Sequence, residues 1–170
     1  MNFKNYIDEI LDFPKKGISF KDITPILKNP KIFKHTINEF IKIVKKIDVE
    51  KIVAIDSRGF IFGSVVAYEM GLPFILVRKK GKLPKLCLKQ SYGLEYGIDE
   101  MEIQKEDIKK GDKIVIIDDL LATGGTALVA KNLVEKLGGI VKGVIFLIEL
   151  KFLKGKEKLE NISVKSLVTY

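Results

Sequence analysis

Residues 114–126 join an apolar, β-branched run to two carboxylates, Asp118 and Asp119, and then to Leu120-Leu121-Ala122-Thr123-Gly124-Gly125-Thr126. An apolar helical pattern follows over residues 127–137. A strand, a short loop and a helix in that order make an anion site. The backbone N–H groups of residues 123–126 can converge on one phosphate, and the helix N-terminus adds partial positive charge. Gly124 and Gly125 let the backbone come close, and Thr123 and Thr126 can donate from their hydroxyls. Asp118 and Asp119 would repel a phosphate standing alone. They suit a sugar diol, or a phosphate whose charge is shared with a metal. The ligand this stretch calls for has a phosphate at one end and a ribose beside it. A tight turn with a capping threonine is the plainer account of Gly-Gly-Thr by itself. The two acids and the buried strand before them favour the ligand.

Other groups have chemistry of their own. Asp56-Ser57-Arg58-Gly59 is a second strand-to-helix turn, and Arg58 could grip a diphosphate with two parallel N–H bonds or make an ordinary surface ion pair. Arg78-Lys79-Lys80-Gly81-Lys82-Leu83-Pro84-Lys85 is a cationic loop able to cover an anion, and equally able to be a solvated, flexible one. Phe20, beside polar residues in a loop over 17–25, could stack on a flat ligand or plug a core. Glu95 reads as a solvent-facing strand carboxylate and Leu150 as plain core.

The elements that must position these groups follow from apolar periodicity. Residues 114–117 read as a strand buried on both faces, as in a parallel sheet. Further strands are expected over 52–55, 74–77, 140–148 and 162–168. Helices are expected over 30–46, with Pro30 in the first turn, and over 60–70 and 127–137. Residues 6–13 suit a short amphipathic helix with Ile7, Ile10 and Leu11 on one face, ended by Pro14 and Gly17. Residues 91–104 read as a β-hairpin with its tip near Gly97. Strands alternating with helices around several phosphate loops imply an α/β fold, a doubly wound, mostly parallel sheet. The ligand should lie at the carboxyl ends of the strands.

With 170 residues one domain is the expectation. Hydrophobic residues make up 46% and charged residues 31%, the balance of an ordinary soluble globular protein. No apolar run is long enough to span a membrane, and the first residues lack a signal-peptide core, so a cytoplasmic protein with no membrane partner is expected. Cys87 is the single cysteine, which excludes an internal disulfide and a cysteine-based metal site. His35, the single histidine, falls in a helical pattern and reads as structural or solvated. The net charge of +8 would suit nucleic acid, but the lysines are dispersed without a basic arm, so no nucleic-acid partner is expected.

Residues 115–126 resemble the phosphoribosyl-diphosphate (PRPP) signature of type I phosphoribosyltransferases, and the wording Asp-Asp-Leu-Leu-Ala-Thr-Gly-Gly-Thr is similar to the branch that acts on adenine. The likeness runs from about Phe13 to Leu159 with its motifs in the family's order. It implies transfer from PRPP to adenine, giving AMP and diphosphate, with Mg2+ carried through substrate and water. It implies a single domain with a core of about 35–148 and a small hood from 1–34 and 149–170. By the same resemblance Ala122, Thr123, Gly124, Gly125, Thr126 and Ala127 hold the 5′-phosphate, and Asp118 and Asp119 hold the ribose. Arg58, Arg78, Lys79 and Lys82 meet the diphosphate, and Tyr96 belongs to the closing loop. Phe20, Lys21 and Leu150 bind the base, Glu95 moves its proton, and Arg58 shares the catalytic work. The family is typically dimeric, so a homodimer is expected.

Two departures stand out. Lys21 replaces the family's usual arginine, which would remove a guanidinium's fork but not backbone contacts. Lys85-Leu86-Cys87 replaces the usual small residues in the loop over 79–90. The rival readings are a phosphoribosyltransferase for another purine base and a non-catalytic PRPP-binding regulator on the same fold.

Overall fold

A computed structural model describes residues 2–94 and 97–170. The element order is β1 (Asp8–Leu11), β2 (Ser19–Asp22), α1 (Thr24–Lys28), α2 (Pro30–Val44), β3 (Lys51–Ile55), α3 (Arg58–Met70), β4 (Phe74–Lys79), β5 (Cys87–Leu94) and β6 (Gly97–Gln104), then β7 (Lys113–Leu121), α4 (Gly125–Lys136), β8 (Ile140–Glu149) and β9 (Val164–Thr169). The contacts divide the chain into two units, Met1–Glu39 and Phe40–Tyr170.

The larger unit is built on a 7-stranded sheet in the order β5-β6-β4-β3-β7-β8-β9. Strands β4, β3, β7, β8 and β9 run parallel, and β6 and β5 add an antiparallel edge. Ile114, Val115, Ile116 and Ile117 of β7 are all fully buried, which explains an unbroken apolar run: both faces of the strand are covered. Val53, Ile55, Ile116 and Phe146 share one core with Val129, Ala130 and Leu133 of α4. The residues that alternate with them meet α3. A Cβ added at Gly63 would lie 2.6 Å from that of Ala54, so this glycine lets α3 lie directly on the sheet. Phe40, in the last half of α2, stacks on Phe62 of α3 with ring centroids 5.5 Å apart. Helices therefore cover both faces, as the alternating pattern implies. Residues 149–170 group with this unit through β9, which pairs with β8.

The smaller unit corrects one expectation. Residues 6–13 do not form a helix. Residues Phe3–Tyr6 make a short 3-10 turn, and Asp8–Leu11 forms β1, paired antiparallel with β2 so that Ile10 faces Phe20. Ile7 is buried, whereas Ile10 and Leu11 are exposed at 43% and 71%, so the three share no buried helical face. A segment this short satisfies either periodicity, and the strand is chosen by a partner eight or more residues away. That partner also changes residues 17–25, expected as a loop: Phe20 stands on strand β2. Asp22 then accepts hydrogen bonds from the N–H (3.0 Å) and hydroxyl (2.6 Å) of Thr24, closing the turn into α1. His35 stacks on Phe3 at 5.4 Å, the structural one of the two roles its pattern allows.

Candidate functional site

The carboxyl end of β7 runs through Asp118 and Asp119 to Leu121, so both acids are strand residues rather than its terminators. The chain then turns through residues 122–124 into α4. Gly124 caps that helix with φ 78°, a left-handed conformation that disfavours any side chain. The unpaired first-turn amides of a helix point out of this end. Asp118, Thr123, Gly124, Gly125, Thr126 and Ala127 line a small cavity of about 60 Å³. The structure thus brings together the phosphate loop and one of its two acids around a single space.

Asp119 turns to Arg58 instead. Arg58 begins α3, one residue after a cis peptide between Asp56 and Ser57, and its Nη2 lies 2.7 Å from Asp119 Oδ2. That oxygen is buried and has no directed hydrogen bond; the guanidinium charge is what it meets. Gly59 makes the approach of α3 to β7 possible, since a Cβ there would stand 2.8 Å from Asp118 Oδ1 and 2.9 Å from the Ile117 carbonyl oxygen. Burial, then the adjacent charge of Asp119, pushes the Asp118 carboxyl well above the ordinary aspartate range, against a smaller lowering by Arg58. Burial also raises Asp119, with Arg58 the first opposing influence.

The cationic segment lies next to the same end of the sheet. Arg78 donates from Nε to Asp56 Oδ2 at 2.9 Å and from Nη1 to the Lys82 carbonyl at 3.2 Å, with its guanidinium 5.8 Å from the Phe60 ring. Lys79 pairs with Asp99 at 2.9 Å, and Lys80 pairs with Glu100. Lys82 is exposed, and its ammonium meets no carboxylate among the described residues. Cys87 is half-buried, and its thiol donates to the Lys85 carbonyl oxygen at 3.2 Å. Burial and then Glu102 push that thiol up, away from the thiolate, in line with an incidental cysteine.

In the smaller unit Ile10, Phe13, Phe20 and Asp22 line an open pocket of about 260 Å³. The Phe13 and Phe20 rings meet edge to face at 5.2 Å and 78°. Strand alternation puts Phe20 and Asp22 on the pocket side and Lys21 on the other. Lys21 is only 6% exposed; its ammonium lies 2.7 Å from a Glu9 carboxylate oxygen and 3.2 Å from Ser19 Oγ. Leu150, in the larger unit, is buried and donates its N–H to the Leu121 carbonyl at 2.9 Å, next to the phosphate loop. Glu95 and Tyr96 lie outside the described residues.

Three residues, two in the larger unit and one in the smaller, were not singled out by the sequence. Gly155 packs its backbone on the phosphate loop: a Cβ there would collide with the Ala122 carbonyl oxygen and lie 2.8 Å from the Gly124 nitrogen. Gly155 falls within the stretch of family likeness, but nothing in the sequence shows this contact. Phe13 was legible as an aromatic near Phe20. Glu102 had no signal beyond being a carboxylate between Met101 and Ile103.

A parallel sheet carrying a phosphate loop, an acidic pair and an arginine at the carboxyl ends of its strands is the arrangement of a nucleotide- or sugar-phosphate-handling α/β protein. The chain belongs to the phosphoribosyltransferase family: the family described as "Phosphoribosyl transferase domain" matches residues 22–165. Within that family its relatives are adenine phosphoribosyltransferases. The one from Clostridium botulinum strain Hall is 52% identical over 170 residues, covering 100% of this chain and 99% of the relative. The crystal structure of the Thermoanaerobacter pseudethanolicus protein superposes with a TM-score of 0.96 at 49% identity, over 99% of this chain and 98% of that one. The Saccharomyces cerevisiae adenine phosphoribosyltransferase, solved with adenine and D-2,5-dideoxy-2,5-imino-altritol 1,6-bisphosphate, gives 0.90 at 42% identity, covering 95% and 94%.

Proposed function

We propose that the protein transfers the 5-phosphoribosyl group from PRPP to adenine, releasing diphosphate and forming AMP. The observation that carries this reading is the placing, at the ends of two adjacent parallel strands, of Asp118 in the cavity of the loop 122–127 and of the Arg58–Asp119 ion pair beside it. The kinship with adenine phosphoribosyltransferases along the whole chain supports the choice of base. So does the yeast relative, whose structure holds adenine together with a bisphosphate.

In the reaction the bond from C1′ to the diphosphate oxygen breaks and a bond from C1′ to the base nitrogen forms. Diphosphate leaves with the electron pair, and the base nitrogen gives up its proton, for which Glu95 is the proposed acceptor. Residues 122–127 hold the 5′-phosphate far from C1′, and that anchor fixes the sugar against the base. Asp118 and Asp119 orient the ribose hydroxyls and favour the positive charge that develops on the ring. Arg58 and Lys82 meet the charge of the departing diphosphate; Arg58 must exchange its Asp119 partner, wholly or in part, to do so. Arg78 and Lys79 are assigned to the same anion, and Tyr96 to the closing loop. Closure of residues 79–90 keeps water from C1′.

Magnesium would enter as a companion of the substrate. Among the described residues no three His, Cys, Asp or Glu side chains form a cage. The ion would be held by diphosphate and ribose oxygens and water, where it supplies charge neutralisation for the leaving group. The ring of the base would lie against Phe20. A homodimer in the cytoplasm completes the reading. No described helix is long and apolar enough to cross a membrane.

The test is diphosphate release from PRPP and magnesium with adenine, hypoxanthine and guanine in parallel. Turnover with adenine alone is expected. Turnover only with another base would discard the adenine pocket, and PRPP binding without turnover would point to a regulator.

A further inference from the structure

Glu102 is a buried carboxylate within the sheet. It sits on β6, directly across from Arg78 on β4 and Lys89 on β5. Its neighbours Met101 and Ile103 point into the core, so strand alternation sends Glu102 to the opposite face. There it is 1% exposed, a rare state for glutamate. What covers it is the cationic loop. The N–H groups of Lys82 and Leu83 both donate to its Oε1, at 2.9 and 3.0 Å. Lys89 Nζ stands 3.9 Å from Oε2. Burial acts to raise its pKa; the backbone N–H groups of Leu83, Gly81 and Lys82 outweigh it and hold the group ionised below the ordinary glutamate value.

The same loop residue is gripped from its other side. Arg78 donates to the Lys82 carbonyl and, through Nε, to Asp56 in the turn that precedes Arg58. A continuous chain of charge-assisted bonds therefore runs from Asp56 through Arg78 and the Lys82 peptide to Glu102. It links the turn carrying Arg58 to the loop carrying Lys82, whose own ammonium is left pointing to solvent. Hydrogen bonds to a buried charge are stronger than neutral ones and leave a large penalty when broken.

We propose that Glu102 is a positioning residue for the phosphoribosyl transfer: by holding the Lys82 and Leu83 amides it sets the root of the cationic loop, so that Lys82 is presented to the diphosphate end of PRPP. This rests on the proposed function for its substrate, not for its geometry. The loop is tethered at residues 82–83, and any closing motion must pivot about that point or break it.

Two variants test this. Glu102→Leu leaves both amides without an acceptor, whereas Glu102→Gln keeps an oxygen able to accept both. The expected result for Glu102→Leu is a KM for PRPP raised about ten-fold or more, with the KM for adenine within about two-fold of the parent, because the loop root loses both of its bonds to a buried charge. Limited trypsin digestion read by mass should release the fragment beginning at Leu83 sooner in Glu102→Leu than in the parent. Glu102→Gln should recover most of both effects. The proposal is overturned if Glu102→Leu leaves the KM for PRPP and the Lys82–Leu83 cleavage unchanged. It is also overturned if both KM values move together with a lowered Tm, or if Gln is no better than Leu. A parent protein with no turnover would remove the enzyme reading instead, and the cleavage rate would still decide the tether.

Discussion

Arg58 Nη2 lies 2.7 Å from Asp119 Oδ2, so the cation expected at the diphosphate and an acid expected at the ribose form one ion pair. Each neutralises a group that the other leaves exposed to its neighbours: Asp119 Oδ2 is otherwise a buried, unbonded oxygen. On the proposed function, substrate binding at this point would be an exchange of partners rather than the filling of an open claw. Replacing Arg58 by Lys keeps the charge and discards the fork. Its KM for PRPP should rise by about ten-fold or more, the loss of one charge-assisted bond, with the KM for adenine little changed. Initial rates with each substrate varied in turn measure both.

Asp118 should cost the folded protein stability near neutral pH. Its carboxyl is raised by burial and by Asp119, so the native state disfavours the ionised form. A raised carboxyl is most favourable to folding below the ordinary aspartate value, and that benefit is lost as pH rises through the native value. Asp118→Asn retains an acceptor for the Asp119 N–H, which donates at 2.9 Å. The variant should melt above the parent at pH 7.5, and the gap should close as pH falls into the ordinary aspartate range. Transfer activity should be lost. Thermal melts across that range decide it; a Tm for the variant at or below the parent at pH 7.5 would refute the electrostatic account.

Gly155 touches no expected ligand, yet its change should damage PRPP binding. A methyl group in Gly155→Ala meets the Ala122 oxygen and the Gly124 nitrogen, both backbone, which cannot swing aside as a side chain can. Overpacking of this kind costs ~1–3 kcal/mol. We expect a lowered Tm together with a raised KM for PRPP, since the displaced atoms belong to the phosphate loop itself. Equal KM with lowered Tm would limit Gly155 to folding.

Phe13 should matter to the base and not to PRPP. Its ring meets Phe20 edge to face in the pocket of the smaller unit. Aromatic pairs of this kind contribute ~0.5–1.5 kcal/mol, so Phe13→Leu should raise the KM for adenine by about two- to ten-fold. Titration of adenine at saturating PRPP reads this directly, and an unchanged value would remove the pocket from base recognition.

Much of the molecule was legible in one dimension because it depends on local chemistry. Ile114 to Ile117 announce a strand covered on both faces, and the alternation of such runs with helical patterns implies the parallel sheet. Residues 123–126 read as a phosphate loop, since the backbone amides that would meet a phosphate are the loop's own. The short segment 6–13 was misread, because its strand exists only through pairing with Ser19–Asp22. The side on which Lys21 falls was equally illegible, since only strand alternation separates it from Phe20. Arg58 with Asp119, Gly155 with Ala122, and Glu102 with the Lys82 and Leu83 amides are contacts between segments distant in the chain. Composition and spacing determined which groups are present and which backbone stretches can bind phosphate. Only the tertiary structure decided which charges face one another, because hydrogen bonds and ion pairs act over a few ångströms of space and carry no trace of sequence separation.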